Sequence, residues 1–132
     1  MTGPLRLLFV DDDPDIRAIV ALALGLDPTI TLTVVGSGTE ALASLRAGGG
    51  EVDAALLDVT MPDIDGPSLL TLLRHVMPDL PVIFMTAHSR DRELSMLRAA
   101  GAQGVIVKPF APLTLVEQVR TLLSGRVSSV GS

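Results

Sequence analysis

Apolar residues along this chain fall in short blocks, and four of the blocks run straight into one kind of polar residue. Leu5 to Val10 ends in Asp11-Asp12-Asp13, Val52 to Leu57 in Asp58, Pro81 to Met85 in Thr86, and Gly104 to Val107 in Lys108. Short blocks bounded by turn signals read as strands buried on both faces. Helical patterns lie between them. Asp13 is placed to cap a helix with Pro14 at its first position, and Ile16, Ile19, Val20, Ala23 and Leu24 share one stripe. Gly25 and Pro28 close that helix, and Ile30 to Val35 reads as another strand. Ser37 and Glu40 form a capping-box pattern opening a short helix through Leu45, stopped by Gly48-Gly49-Gly50. Past Asp58, a turn-rich loop leads through Gly66 into a helix bearing Leu69, Leu70, Leu73 and Met77. Ser89 or Asp91 starts a helix with Leu94, Leu97 and Ala100, ended by Gly101. Pro109 precedes a last helix with Val116, Val119, Leu122 and Leu123. Five such alternations predict a doubly wound five-stranded parallel sheet with helices on both faces.

Composition narrows the picture. The chain of 132 residues has a formal net charge of −5, which argues against nucleic acid as a direct partner, since phosphate binding needs a basic face. With no cysteine, disulfides, thiolate zinc sites and cysteine nucleophiles are excluded. The residues from Met1 to Pro4 meet an acidic cluster before an apolar signal region forms, and Ala18 to Leu26 is too short to span a bilayer. The expectation is a soluble, cytoplasmic protein without membrane contact. Neither repeats nor a second domain are visible: residues 5–123 read as one domain, and 124–132 as a flexible tail or the start of a linker.

In an open parallel sheet the C-terminal strand ends share one rim, where such sheets bind ligands. That rim would gather Asp11, Asp12, Asp58, Thr86 and Lys108. Crowded carboxylates raise one another's pKa, and a hard divalent cation resolves the conflict; Mg²⁺ suits few carboxylates, retained waters and a phosphate. Each residue alone has a plainer reading. The acidic triplet can cap a helix, Thr86 can be a strand residue, and Lys108 can be solvated. Asp58 has no capping duty at a strand end. Lys108 is the only lysine beside nine arginines, which suggests a point charge that a planar guanidinium would not replace.

As a set, Leu8 to Pro14, Leu57 to Gly66, Phe84 to Ala87 and Val107 to Phe110 resemble the receiver domain of two-component response regulators. The resemblance implies a flavodoxin-like strand order 2-1-3-4-5. It implies that Asp58 is the phosphoacceptor, attacking the phosphohistidine of a sensor histidine kinase or histidine phosphotransfer protein. Asp11 and Asp12 would hold Mg²⁺ with Asp58 and the backbone carbonyl of Thr60. Lys108 would pair with the phosphoryl oxygens, and Thr86 would move to hydrogen-bond the aspartyl phosphate. The Lys108-Pro109 bond would be cis, and Thr60 and His88 would influence phosphate lifetime. Such a domain changes its binding of a downstream protein target. It is not a turnover enzyme and catalyses only its own phosphorylation and dephosphorylation.

Two positions depart from the family. Val105 stands where members usually carry Tyr or Phe, and Ala111 where many have an acidic cap for the last helix. Val105 is short and stiff at χ1 and cannot sweep between two exposures as a ring does. Activation is therefore expected to act through Thr86 to Arg92 and the fourth helix, with Val105 nearly fixed.

Rival readings meet specific obstacles. A haloacid-dehalogenase-like phosphatase would use Asp11 and Asp13 but needs an acidic pair after the lysine, where only Glu117 occurs. An EF-hand over Asp11, Asp13 and Asp15 fails at Ile16, Leu22 and Pro14. No phosphate-binding GxxxxGK loop is present. A phosphorylation-independent interaction module would typically lack the aspartate or the lysine, and both are here. His75 reads as a residue near a helix end, where a partial positive charge helps modestly. Arg90, Arg92 and Arg98, with Asp91 and Glu93, read as a solvated face or part of a partner surface.

Overall fold

Alternating side chains of the first strand already divide the core in two. In the computed structural model, which describes residues 3–47, 52–88 and 90–124, Leu8 and Val10 point to one face and Leu5, Leu7 and Phe9 to the other. The elements follow as β1 (Leu5–Val10), α1 (Pro14–Leu24), β2 (Ile30–Val35), α2 (Gly38–Ala47), β3 (Ala54–Asp58) and α3 (Gly66–Val76). Then come β4 (Val82–Thr86), α4 (Asp91–Ala99), β5 (Gly104–Val107), a 3-10 turn (Pro112–Thr114) and α5 (Leu115–Ser124). All pairings are parallel, in the order β2-β1-β3-β4-β5. One face is covered by α2, α3 and α4 through residues such as Leu45, Leu69, Leu73 and Leu97. The other is covered by α1 and α5 through Val20, Leu24, Leu115 and Val119.

Helix starts follow the side chains available. Asp13 accepts from the Asp15 N–H at 2.8 Å with Pro14 at the first position, and Asp65 accepts from the Ser68 N–H at 2.8 Å. Ser37 accepts from the Glu40 N–H at 3.1 Å, while Glu40 accepts from the Gly36 N–H at 3.3 Å, one residue upstream of the usual reciprocal partner. The fourth helix starts at Asp91, and Arg90 before it gives no side-chain cap. Ala111 likewise leaves the turn before α5 without one. The glycine stop at 48–50, Ser89 and the segment 125–132 lie outside the described residues.

Several expectations are corrected. β3 and β4 are buried throughout, but β5 alternates buried and half-buried residues because it is an edge strand. Asp53 precedes its strand, held in a bend by bonds from the Arg6 N–H at 2.7 Å and the Arg6 guanidinium. Ile19 is 40% exposed; the buried arc of α1 is narrower, since α5 covers the adjoining part of that face. Met77 caps α3 in an extended conformation rather than extending it, because Pro78 disfavours the helical region for the residue before it. Ala100 is the cap of α4 and is exposed, and Gly101 with φ 107° turns the chain away.

At the opposite end of the sheet from the rim, Arg120 of α5 donates to Asp27 at 2.9 Å, to the Thr29 hydroxyl at 2.8 Å and to the Gly3 carbonyl at 3.0 Å. Hydrogen bonds from Thr29, then from Arg120, pull the Asp27 carboxyl down to about 2. A depressed carboxylate stabilises the fold above its unfolded value, and that contribution disappears as pH falls through the folded one. The window therefore runs from 3.8 to about 2. Urea midpoints across this range should fall less steeply for Asp27→Asn than for wild type; parallel curves would exclude the coupling.

Candidate functional site

Parallel strands end together, so β1, β3, β4 and the segment after β5 deliver Asp11, Asp58, Thr86 and Lys108 to one rim. Asp11 is fully buried, Asp58 and Thr86 are nearly so, and Asp12 is exposed. The Lys108 Nζ lies 2.9 Å from Asp11 Oδ2 and 3.1 Å from Asp58 Oδ1, bridging the two carboxylates. Oxygens of Asp11, Asp12 and Asp58 all lie within 4.8 Å of one another. The Lys108-Pro109 bond is cis.

The electrostatics follow from this crowding. Burial, and then the charge of Asp11, push the Asp58 carboxyl above its usual range against the opposing pull of Lys108 and the Thr60 N–H. Burial lowers the Lys108 pKa, but the hydrogen bond and charge of Asp11, with those of Asp58, outweigh it, and the ammonium is held above its ordinary value. One ammonium faces three carboxylates. The donor set is all hard oxygen and short of positive charge, which fits Mg²⁺ and not a soft metal.

The remaining residues take distinct places. Thr86 accepts a hydrogen bond from the His88 N–H at 3.0 Å, so its hydroxyl still has a proton to donate. Exposed His88 has Nδ1 3.8 Å from Glu93 of α4. Thr60 is exposed beside a groove of about 450 Å³ that also touches Thr86, Met96 and Leu97. Val105 is half-buried against the α2–α4 side of the core. Asp13 is drawn away to cap α1, which removes the second acid of the phosphatase reading. Glu117 lies exposed on α5.

Two supporting residues escaped the sequence reading. Arg17 donates to the Asp11 carbonyl at 2.8 Å, and Asp63 accepts from the Thr39 N–H at 3.1 Å. Neither carries a local signal, because each partner belongs to another element or to the backbone.

The family model described as "Response regulator receiver domain" matches residues 7–120. The chain belongs to that family. It is 39% identical over 132 residues to the transcriptional regulatory protein PrrA of Mycobacterium tuberculosis (strain ATCC 25618 / H37Rv), covering 100% of this chain and 55% of that protein. The chain thus spans about half the length of this curated relative. Among solved structures, it is similar to the chemotaxis response regulator CheY4 of Vibrio cholerae, with TM-score 0.79 and 29% identity over 91% of this chain and 99% of that one. The Francisella response regulator 1452 receiver domain gives TM-score 0.80 and 28% identity over 91% and 97%. This receiver is a signalling domain, and its strand order matches that of its structural neighbours.

Proposed function

We propose that this receiver is switched by phosphorylation of Asp58, with a sensor histidine kinase or histidine phosphotransfer protein as donor. The observation that carries the reading is the Lys108 ammonium bridging Asp11 and Asp58 at the rim. An Asp58 oxygen forms the new O–P bond as the N–P bond of the donor's imidazole breaks, and that bond's electron pair returns to the imidazole nitrogen. Asp11, Asp12, Asp58 and the Thr60 carbonyl would hold Mg²⁺, which when bound neutralises phosphoryl oxygens. Lys108 turns from bridging two carboxylates to pairing with the phosphoryl group, a modest reach because it already touches the acceptor. Such transfer asks mainly for positioning and charge neutralisation.

Thr86 carries the signal onward. Its hydroxyl donates to the phosphoryl group and draws on the loop it shares with His88, so Thr86 to Arg92 and α4 change their exposed surface for a protein target. Val105 keeps its place against the core. The reading places the protein in the cytoplasm, with residues 5–123 as the receiver and 124–132 as a tail or linker start. Among the described residues no helix is long and apolar enough to cross a membrane, and the formal charge of −5 speaks against direct nucleic-acid contact by this chain.

The test combines labelling with hydrogen exchange. With Mg²⁺ and acetyl phosphate, wild type and Thr86→Ala should both gain a phosphate, and chelator should prevent it in both. Only wild type should then show altered exchange at 86–92 and in α4. Labelling that ignores chelator contradicts the metal role, and an equal exchange response in Thr86→Ala contradicts the switch.

A further inference from the structure

The loop that leaves the acceptor strand does not hold its shape alone. Between Asp58 and α3 it carries Thr60, and it closes on itself through the Gly66 N–H donating to the Val59 carbonyl at 2.7 Å. A side chain at 66 would meet the Asp58 carbonyl at 2.8 Å, so glycine is required by this close return. The outer part of the loop rests on a different element. Asp63 accepts from the Thr39 N–H at 3.1 Å, the Thr39 hydroxyl at 3.2 Å and the Gly38 N–H at 3.4 Å. These are free donors at the N-terminus of α2, where a carboxylate is favoured by unsatisfied N–H groups and by the helix dipole. Beside it, Ile64 fills the space a Cβ on Gly38 would need, so the first residue of α2 seats the loop. Hydrogen bonds from Thr39 and Gly38 outweigh burial and keep the Asp63 carboxyl below its usual range, ionised at neutral pH.

We infer that Asp63 is a positioning residue for the cation site: by fastening residues 59–65 to α2, it holds the Thr60 backbone ready to complete the acidic cluster. The inference rests on the reading that Asp11, Asp12, Asp58 and the Thr60 carbonyl hold Mg²⁺. A backbone ligand has no side-chain freedom with which to correct a displaced loop, so its affinity depends on how well the loop is held. Asp63 itself stays with α2 and is not a ligand.

Calorimetric titration with Mg²⁺ is the direct test, since the chain has neither Trp nor Tyr for a fluorescence readout. Asp63→Ala should bind Mg²⁺ at least fivefold more weakly than wild type. Asp63→Asn keeps an acceptor for the helix N-terminus and should stay within about twofold of wild type. Ser37→Ala removes a different side-chain acceptor at the start of α2, the one that takes the Glu40 N–H. It should lower thermal stability as Asp63→Ala does, yet leave Mg²⁺ affinity within about twofold. Thr39→Pro breaks the same link from the helix side in the first turn, where proline is tolerated, and should reproduce the Asp63→Ala loss even if that variant fails to fold. If Asp63→Asn is as weak as Asp63→Ala, the effect is one of charge and the inference is overturned; equal weakening by Ser37→Ala overturns it in favour of general destabilisation. Unchanged binding in Asp63→Ala overturns it outright. A wild type that binds no Mg²⁺ instead overturns the underlying reading.

Discussion

Asp58→Asn is expected to abolish Mg²⁺-dependent labelling by acetyl phosphate and, at the same time, to stabilise the metal-free protein. The two effects have one origin. Asp58 sits 8% exposed beside fully buried Asp11, and burial and the Asp11 charge raise its pKa. A carboxyl whose pKa is higher folded than unfolded costs the native state stability once ionised, and the cost vanishes as pH falls below the unfolded value. Asparagine keeps the shape without the charge. The gain should be on the order of 1 kcal/mol at neutral pH, the scale of repulsion between partly hydrated like charges, and should be gone below pH 3.8. Urea melts at two pH values would show it. A destabilised Asn variant at pH 7 would mean that Lys108 more than neutralises the pair.

Lys108 should behave in the opposite way. Its ammonium bonds both Asp11 and Asp58, and its side chain is 17% exposed. Lys108→Ala leaves two adjacent carboxylates without a partner. Breaking a buried ion pair costs about 3–5 kcal/mol; partial exposure reduces the expectation to about 2 kcal/mol. The loss should shrink as pH falls and the raised Asp58 carboxyl protonates, and added Mg²⁺ should recover part of it. Lys108 itself stays charged throughout this range, since its folded pKa lies above 10.5 and its contribution is lost only as pH rises past that value. Lys108→Arg is not a conservative change. A planar fork in place of a compact head cannot lie between the two oxygens and also admit a phosphoryl group. Phosphorylation or output should fall clearly in both variants; an Arg variant indistinguishable from wild type would reduce the lone lysine to an accident of codon usage.

Much of the site was legible because it is built from strand ends. A buried parallel strand is a continuous apolar run, so the residue that breaks it is conspicuous, and topology alone brings Asp11, Asp58, Thr86 and Lys108 together. Edge strands were harder. β5 carries Val105, Ile106 and Val107 and reads as fully buried, yet one of its sides is only half-covered because it lies at the sheet edge, with no strand beyond it among the described residues. Ile19 misled for a related reason: apolar periodicity records which residues can be buried, while packing of α5 beside α1 decides how wide the buried arc is. The struts around the site left no trace in the pattern. Arg17 reaches a backbone carbonyl, and Asp63 joins its loop to a helix 24 residues away in sequence. Bonds of that kind depend on tertiary placement, which neither spacing nor residue type reveals.

If Asp58 is the phosphoacceptor, the phosphate can be located on it chemically. After treatment with acetyl phosphate and Mg²⁺, borohydride reduces an acyl phosphate to an alcohol, which marks the modified side chain before digestion and peptide mass analysis. Reduction is expected at Asp58 alone, with phosphate that survives acid but is lost in base. Reduction at Asp11, Asp12 or Asp13, or a phosphate that borohydride does not remove, would contradict it.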